Sequence, residues 1–238
     1  MKASLFISAS LSCVQSSFRL CVFAPWLQGR TAYGGFSAAV ALSAALRIGG
    51  EALPPLRSAV VSFVGPAYGR LEARARVLRR GKNATWIAAE ITRDGEIGLI
   101  ATFVFMGAIA SRVHLDDRRV PDGLIPLEEA PAVAFNQATP MFLKQFFEAR
   151  FAVPRAAPDG IPRAEVCWWV RLKDANQLDT MIGLMLIADA LPPGVMPLAD
   201  RRMPVSSMNW QANLLAPAPI TRDGWWLARS SADYAEHG

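Results

Sequence analysis

The feature that most constrains the fold of this chain is that both of its halves show secondary-structure signals in the same order. Each half contains a strand, a helix, a second strand that ends at a proline, and further strand. A long helix followed by such strands predicts an α+β fold, with an antiparallel sheet wrapped around the helix. A short sequence similarity between the halves supports a duplication, because Phe63-Val64-Gly65-Pro66 has the same pattern as Leu214-Leu215-Ala216-Pro217. We therefore predict two related lobes.

The first half carries the clearer pattern. Gly34-Gly35 precedes an alanine-rich run from Phe36 to Arg47, and Gly49-Gly50 gives a helix-stop signal. A segment rich in β-branched residues, Leu56 to Val64, then predicts a strand. Three more strand candidates follow, at Leu71 to Val77, Thr85 to Thr92 and Ile97 to Met106. Asp94-Gly95 predicts a tight hairpin turn between the last two. These elements form an N-terminal lobe over residues 1–112.

A segment rich in Pro, Asp and small residues, Val113 to Pro140, is predicted to be a linker. The C-terminal lobe then covers residues 141–238. Its predicted elements are strands at Phe142 to Phe151 and Glu165 to Leu172, a helix at Gln177 to Ala190, and strands at Val205 to Leu215 and Trp225 to Ser230. Three strand candidates follow Pro66 but only one follows Pro217, so we expect the second lobe to lack its last two strands. An open sheet edge of this kind favours pairing with another chain.

Composition and charge exclude several classes of protein. Of the 238 residues, 52% are hydrophobic and 19% are charged, which is typical of a globular chain. The net charge of +5 fits either a solvated arginine-rich surface or attraction to an anionic ligand. The sequence has no dense Lys/Arg stripe, so we predict no nucleic-acid partner. Three cysteines without a CxxC pair, and only two histidines, argue against a disulfide framework, a zinc site and a Ser-His-Asp triad.

The predicted compartment is the cytoplasm, and no membrane insertion is expected. Met1 to Val14 contains Lys2 and an apolar stretch, as a signal peptide does, but four serines interrupt it and no Ala-x-Ala site follows. No segment reaches the length of a transmembrane helix without charges.

Asp189 is the most informative single residue. It lies one helical turn after Met185, on or beside the apolar face of the predicted second helix. A carboxylate in that position must be paired, hydrogen-bonded, or shifted to a higher pKa. One interpretation is a general base in a cleft. The other is a residue at the helix end that turns towards solvent. Ser206 or Ser207 could share a water with Asp189, or could only satisfy the backbone at a strand start.

Two further features have a functional and a structural interpretation. The backbone N–H groups of Gly34 and Gly35 at a helix start could hold an oxyanion or a phosphate, or the glycines could only allow tight packing. Arg79, Arg80 and Lys82 on one hairpin turn could bind phosphates, or could be a solvated charged turn.

Four stretches share their order and spacing with one known family. They are Trp26 to Gly35, then Pro55 to Lys82, then Trp169 to Pro193, and finally Ser206 to Trp226. Together they resemble the type II acyl-CoA thioesterases, which have a double hot-dog fold, and the resemblance spans roughly Phe18 to Gly238.

The resemblance implies hydrolysis of acyl-CoA, in lipid metabolism, by a water held between an Asp, a hydroxyl residue and a Gln. By motif, the carboxylate is Asp189 and the hydroxyl is Ser207. The Gln belongs to the family's final strand, and this chain ends before that strand, so we expect the Gln to be absent. The oxyanion would meet the N–H of Gly35, and Arg79 and Lys82 would meet the CoA phosphates. CoA is then part of the substrate, and no separate cofactor is expected.

The resemblance also leaves alternatives. The expected loss of the Gln favours a non-catalytic acyl-CoA-binding or assembly protein of the same fold. A hydratase would use an Asp/His pair, but His114 falls in the predicted linker and His237 near the chain end. By analogy with other hot-dog proteins, we expect a homo-oligomer, either a dimer or a larger assembly.

Overall fold

The computed structural model describes residues 17–154, 160–174, 178–199 and 205–236. The predicted segment Met1 to Val14, Gln177 at the start of the predicted second helix, and His237 lie outside these ranges. The strands are β1 Ser17–Val22, β2 Leu27–Gln28, β3 Thr31–Ala32, β4 Leu56–Phe63, β5 Gly69–Arg80, β6 Ala84–Arg93, β7 Glu96–Met106, β8 Phe147–Phe151, β9 Glu165–Leu172, β10 Asn209–Asn213 and β11 Trp226–Ser231. The helices are α1 Gly34–Gly49, α2 Met141–Phe146 and α3 Thr180–Ala188.

Within the described ranges, the largest sheet has six antiparallel strands in the order β1-β5-β6-β7-β4-β10. Alternate residues of β6, namely Ile87, Ala89 and Ile91, are buried on the face that covers α1. The helix is buried along most of its length because the sheet packs on one side of it and α3 on another. Its many alanines allow this close approach on two sides. The predicted α+β arrangement of a sheet around a helix is therefore confirmed.

The hairpin turn between β6 and β7 is also confirmed. Asp94 has φ of 51° and Gly95 has φ of 88°. Positive φ at both central residues is what a two-residue type I′ turn requires, and Asp-Gly tolerates it well. This turn sets the register of β6 against β7.

A second sheet has, in the described residues, three strands in the order β11-β9-β8, and β2 pairs with β3 in a separate two-stranded sheet. The later part of the predicted linker runs beside the three-stranded sheet, since the N–H of Val133 donates to Ala149 O (2.9 Å) and the N–H of Ile125 donates to Ala152 O (2.8 Å). One predicted strand was wrong in its first half. Residues Met141–Phe146 form the short helix α2, and only Phe147–Phe151 form a strand.

Strand β10 comes from the C-terminal half but joins the sheet of the N-terminal half. It pairs with β4, with Asn209 opposite Ser62 and Asn213 opposite Ser58. The two similar segments, Phe63 to Pro66 and Leu214 to Pro217, therefore lie at the ends of two adjacent antiparallel strands. The pairing of these strands joins the two lobes through main-chain hydrogen bonds. Within the part of the chain described, no helix has the length and apolar character needed to cross a membrane.

Candidate functional site

The candidate site lies where the end of α3 meets the start of α1. Asp189 is the residue that ends α3, and its Oδ2 accepts a hydrogen bond from the backbone N–H of Gly35 at 2.8 Å. The first N–H groups of a helix have no partner within the helix and carry partial positive charge. A carboxylate from the second lobe thus accepts a hydrogen bond from one of these N–H groups at the start of the helix of the first lobe.

Two adjacent glycines make this approach possible. A Cβ atom on Gly34 would lie 2.6 Å from Oδ2 of Asp189 and 3.3 Å from the ring of Phe63. A Cβ atom on Gly35 would lie 2.8 Å from the backbone oxygen of Met185. Real Cβ contacts essentially never occur at 2.6 to 2.8 Å. A larger residue at Gly35 would therefore push α3 away, because its Cβ would meet backbone, whereas one at Gly34 would displace the Asp189 carboxylate. Tight packing is one of the two interpretations that the sequence left open for these glycines.

The surroundings of Asp189 raise the pKa of its carboxyl group from 3.8 to about 6. Burial is the main cause, because it disfavours the charged form, and the hydrogen bond from Gly35 opposes it only in part. As a whole residue, Asp189 is half-buried. A carboxyl group with this pKa is mostly ionised at neutral pH and is a much better proton acceptor than an ordinary aspartate.

Ser207 lies on the neighbouring chain segment, just before β10. It is exposed, and the next residue, Met208, accepts a hydrogen bond from the N–H of Phe63 at 2.9 Å through its backbone oxygen. The ring of Phe63 lies 3.3 Å from where a Cβ on Gly34 would be, and Oδ2 of Asp189 lies 2.6 Å from the same position. In the described residues, Ser207 is connected to this region through its neighbour Met208, and no hydrogen bond joins it to Asp189.

The basic hairpin turn is not near this carboxylate. Arg79 and Lys82 are exposed at the β5–β6 turn, and Arg80 donates a hydrogen bond to the backbone oxygen of Gly49 (2.9 Å), the last residue of α1. Gly35 and Gly49 are 14 residues apart, so at 1.5 Å per residue the turn lies about 21 Å along the helix from the site. Of the predicted residues, Asp189 and Gly35 are therefore in contact, whereas Arg79 and Lys82 are remote.

His114 is exposed in the linker. In the described ranges, no hydrogen bond or ion pair joins it to Asp189, whose pKa is shifted by burial and by Gly35 alone. The Asp/His arrangement that a hydratase would need is not formed by these two residues.

Two residues of the site were not singled out from the sequence. The ring of Phe63 lies beside Gly34, and Tyr33, which precedes α1, donates a hydrogen bond from its hydroxyl to the backbone oxygen of Leu186 in α3. The available signals were indirect: Phe63 ends the strand before Pro66, and Tyr33 immediately precedes the two glycines.

The raised pKa of Asp189 has a consequence for stability. Because the folded-state pKa is about 6 and the unfolded value is 3.8, the buried charge destabilises the fold at high pH, and protonation removes this cost as the pH falls through 6 towards 4. At pH 8 the cost is at most about 3 kcal/mol, at 1.36 kcal/mol per pKa unit. We expect Asp189→Asn to melt several degrees above the wild type at pH 8, with the advantage falling to about a third at pH 4.5. Thermal melts at both pH values check this, and an equal difference at both would contradict it.

Solved structures place this architecture among known folds. A protein of unknown function with a hot-dog fold from Alicyclobacillus acidocaldarius is 24% identical, with a TM-score of 0.75 over 88% of this chain and 76% of that one. The acyl-CoA thioesterase II TesB2 from Mycobacterium marinum is 19% identical, with a TM-score of 0.71 over 97% of this chain and 85% of that one. The molecule is a double hot-dog protein, in which antiparallel sheets surround two central helices.

Family models give a narrower assignment. Residues 23–106 match the acyl-CoA thioesterase N-terminal domain, and residues 121–238 match the acyl-CoA thioesterase C-terminal domain. The chain belongs to the acyl-CoA thioesterase family. No curated protein sequence matches the chain.

Proposed function

We propose that this protein hydrolyses acyl-CoA thioesters to a free acid and CoA, with Asp189 as the general base. The observation that carries the proposal is the half-buried Asp189, whose carboxylate is held at the start of α1 by the Gly35 N–H and whose pKa is raised to about 6 by burial. Membership of the acyl-CoA thioesterase family supports the reaction class.

The proposed chemistry begins with a water bound between Asp189 and the hydroxyl of Ser207. Asp189 takes a proton from this water as its oxygen attacks the thioester carbonyl. The tetrahedral oxyanion then collapses, the C–S bond breaks, and the CoA thiolate leaves. The proton held by Asp189 is returned to the leaving thiolate or to solvent.

In this scheme the N–H of Gly35 donates first to Asp189 and later to the oxyanion. This single N–H donates to Asp189, so an oxyanion can use it only after that bond is released. Proton transfer to Asp189 makes the carboxyl group a weaker acceptor than the carboxylate. The step that creates the oxyanion therefore also loosens the hold of Asp189 on the Gly35 N–H, which favours transfer of this donor to the oxyanion.

The test of the proposal is release of free CoA thiol from a panel of acyl-CoA esters by the purified chain. We expect release above the rate without protein, with a preference among acyl chains. Folded protein that releases no thiol yet is stabilised against heat by acyl-CoA would instead be the non-catalytic binding protein of the same fold.

Arg79 and Lys82 have the more distant role in this proposal, as partners of the CoA phosphates. Because their turn lies about 21 Å along α1 from Gly35, they can meet only the distal, phosphorylated end of the CoA. We expect the double substitution of both residues by alanine to raise KM by up to about thirtyfold and to leave kcat unchanged, since exposed ion pairs contribute about 1 kcal/mol or less each. Steady-state kinetics at low salt measures this effect. An unchanged KM would show that the turn does not bind the CoA phosphates.

A further inference from the structure

Tyr33 is the most deeply buried polar side chain near Asp189. The residue is 1% exposed, and its hydroxyl donates a hydrogen bond to the backbone oxygen of Leu186 at 2.6 Å. Leu186 lies in the last turn of α3, three residues before Asp189. The hydroxyl therefore joins the start of α1 to the segment that carries the carboxylate.

The Leu186 carbonyl needs this donor. In a continuing helix it would accept a bond from the N–H of Ala190, but that N–H donates to Ile187 O at 2.9 Å. Carbonyl groups in a last helical turn lack a partner within the helix, and a buried unpaired carbonyl costs about 1–3 kcal/mol. The hydroxyl of Tyr33 supplies the missing donor where Leu186 is 0% exposed.

The direction of the hydroxyl is fixed by the packing of the ring. The ring of Tyr33 stacks on Phe142 with centroids 4.0 Å apart, and Phe147 meets it edge-on at 6.3 Å. An isolated bond from the Gly35 N–H would let the carboxylate of Asp189 pivot about one point. The second bond, from Tyr33 to Leu186, joins the same two segments and restricts their movement relative to each other.

We infer that Tyr33 is a positioning residue for the proposed thioesterase reaction, whose hydroxyl holds the end of α3 so that Asp189 faces the start of α1 in one orientation. This inference rests on the proposed function of Asp189. Tyr33 does not itself transfer a proton, because its hydroxyl hydrogen is engaged by Leu186. Burial and the neighbouring charge of Asp189 also raise the pKa of Tyr33 well above its usual range.

The substitution Tyr33→Phe tests the inference, because it removes the hydroxyl and keeps the packed ring. Tyr234→Phe is the matched control, since Tyr234 is 75% exposed and loses only a local hydrogen bond to Glu236. Two readouts are required: kcat and KM for acyl-CoA, and the titration of the Asp189 carboxyl carbon by NMR, assigned with Asp189→Asn. The second readout does not depend on turnover.

We expect Tyr33→Phe to lower kcat by about 10- to 100-fold with little change in KM, the effect of misplacing a reacting group by about 1 Å. We also expect Asp189 to titrate at a lower pH than in the wild type, because a loosened helix end admits water to the carboxylate. The control should match the wild type in both readouts.

A lower melting temperature for Tyr33→Phe, with kcat and the Asp189 titration unchanged, would show a purely structural residue and overturn the inference. If the wild type releases no thiol, the proposed function fails, and the titration alone still decides whether Tyr33 positions Asp189. If Tyr33→Phe does not fold, Phe142→Leu frees the ring on one side and keeps the hydroxyl. The same titration then decides, with a lower midpoint expected and an unchanged midpoint contradicting the inference.

Discussion

Asp189→Asn is expected to lower kcat for acyl-CoA hydrolysis by about 100- to 10,000-fold, the usual contribution of a general base. Asparagine has nearly the same shape, and its side-chain oxygen can still accept the hydrogen bond from Gly35. It cannot take a proton from water. The loss should therefore fall on kcat, with the binding of acyl-CoA retained, and thiol-release kinetics with saturating substrate measures it.

Asp179 provides a matched control on the same helix. Its carboxylate caps the start of α3, where Oδ1 accepts from the N–H of Met181 (2.8 Å) and the N–H of Ile182 (3.2 Å). Asparagine caps helices about as well as aspartate, so Asp179→Asn should keep both stability and turnover. Equal losses in the two variants would mean that the effect at Asp189 comes from the helix rather than from its carboxylate.

Gly35→Ala is expected to disturb both the fold and the site. The new Cβ would lie 2.8 Å from the backbone oxygen of Met185 and 2.8 Å from the hydroxyl of Tyr33, and neither atom is the free end of a flexible side chain. Overpacking of this kind costs about 1–3 kcal/mol, which lowers the melting temperature by several degrees. Because the two helices must separate, Asp189 loses its position, and we expect kcat to fall about 100-fold.

Gly183→Ala is the corresponding control in α3. A Cβ at Gly183 would find its nearest neighbour, Cδ1 of Leu172, at 4.0 Å, which is ordinary contact. Alanine is favoured over glycine inside a helix by about 1 kcal/mol, so the melting temperature should stay the same or rise. A Gly35→Ala protein with wild-type melting temperature and kcat would show that the helices are not in tight contact at this point.

Much of the fold could be predicted from the sequence because its signals are local. The alanine run that ends at Gly49-Gly50, the alternation in β5 and the Asp94-Gly95 turn each depend on neighbouring residues only. Helix α2 was missed because a six-residue helix is too short to establish a helical period, and its aromatic residues continue directly into β8. The pairing of β10 with β4 depends on contacts between distant segments, which no local pattern reveals.

The candidate site was predictable in part. The position of Asp189 beside an apolar helix face indicated a constrained carboxylate, but not which group it contacts. The contact with Gly35 joins residues 154 positions apart, and Tyr33 was identified only through its bond to Leu186. The phosphate interpretation of Arg79 and Lys82 relied on charge and on the family resemblance, and neither indicates the distance from a hairpin turn to a catalytic group.

The most direct test of the central claim is the pH dependence of kcat/KM for acyl-CoA hydrolysis. If Asp189 is the base and its pKa is about 6, then kcat/KM should be constant above pH 7 and should fall by about tenfold per pH unit well below pH 6. The residual activity of Asp189→Asn should lack this acidic limb. A value of kcat/KM that stays constant between pH 5 and pH 8, or an identical acidic limb in Asp189→Asn, would contradict the assignment of Asp189 as the base.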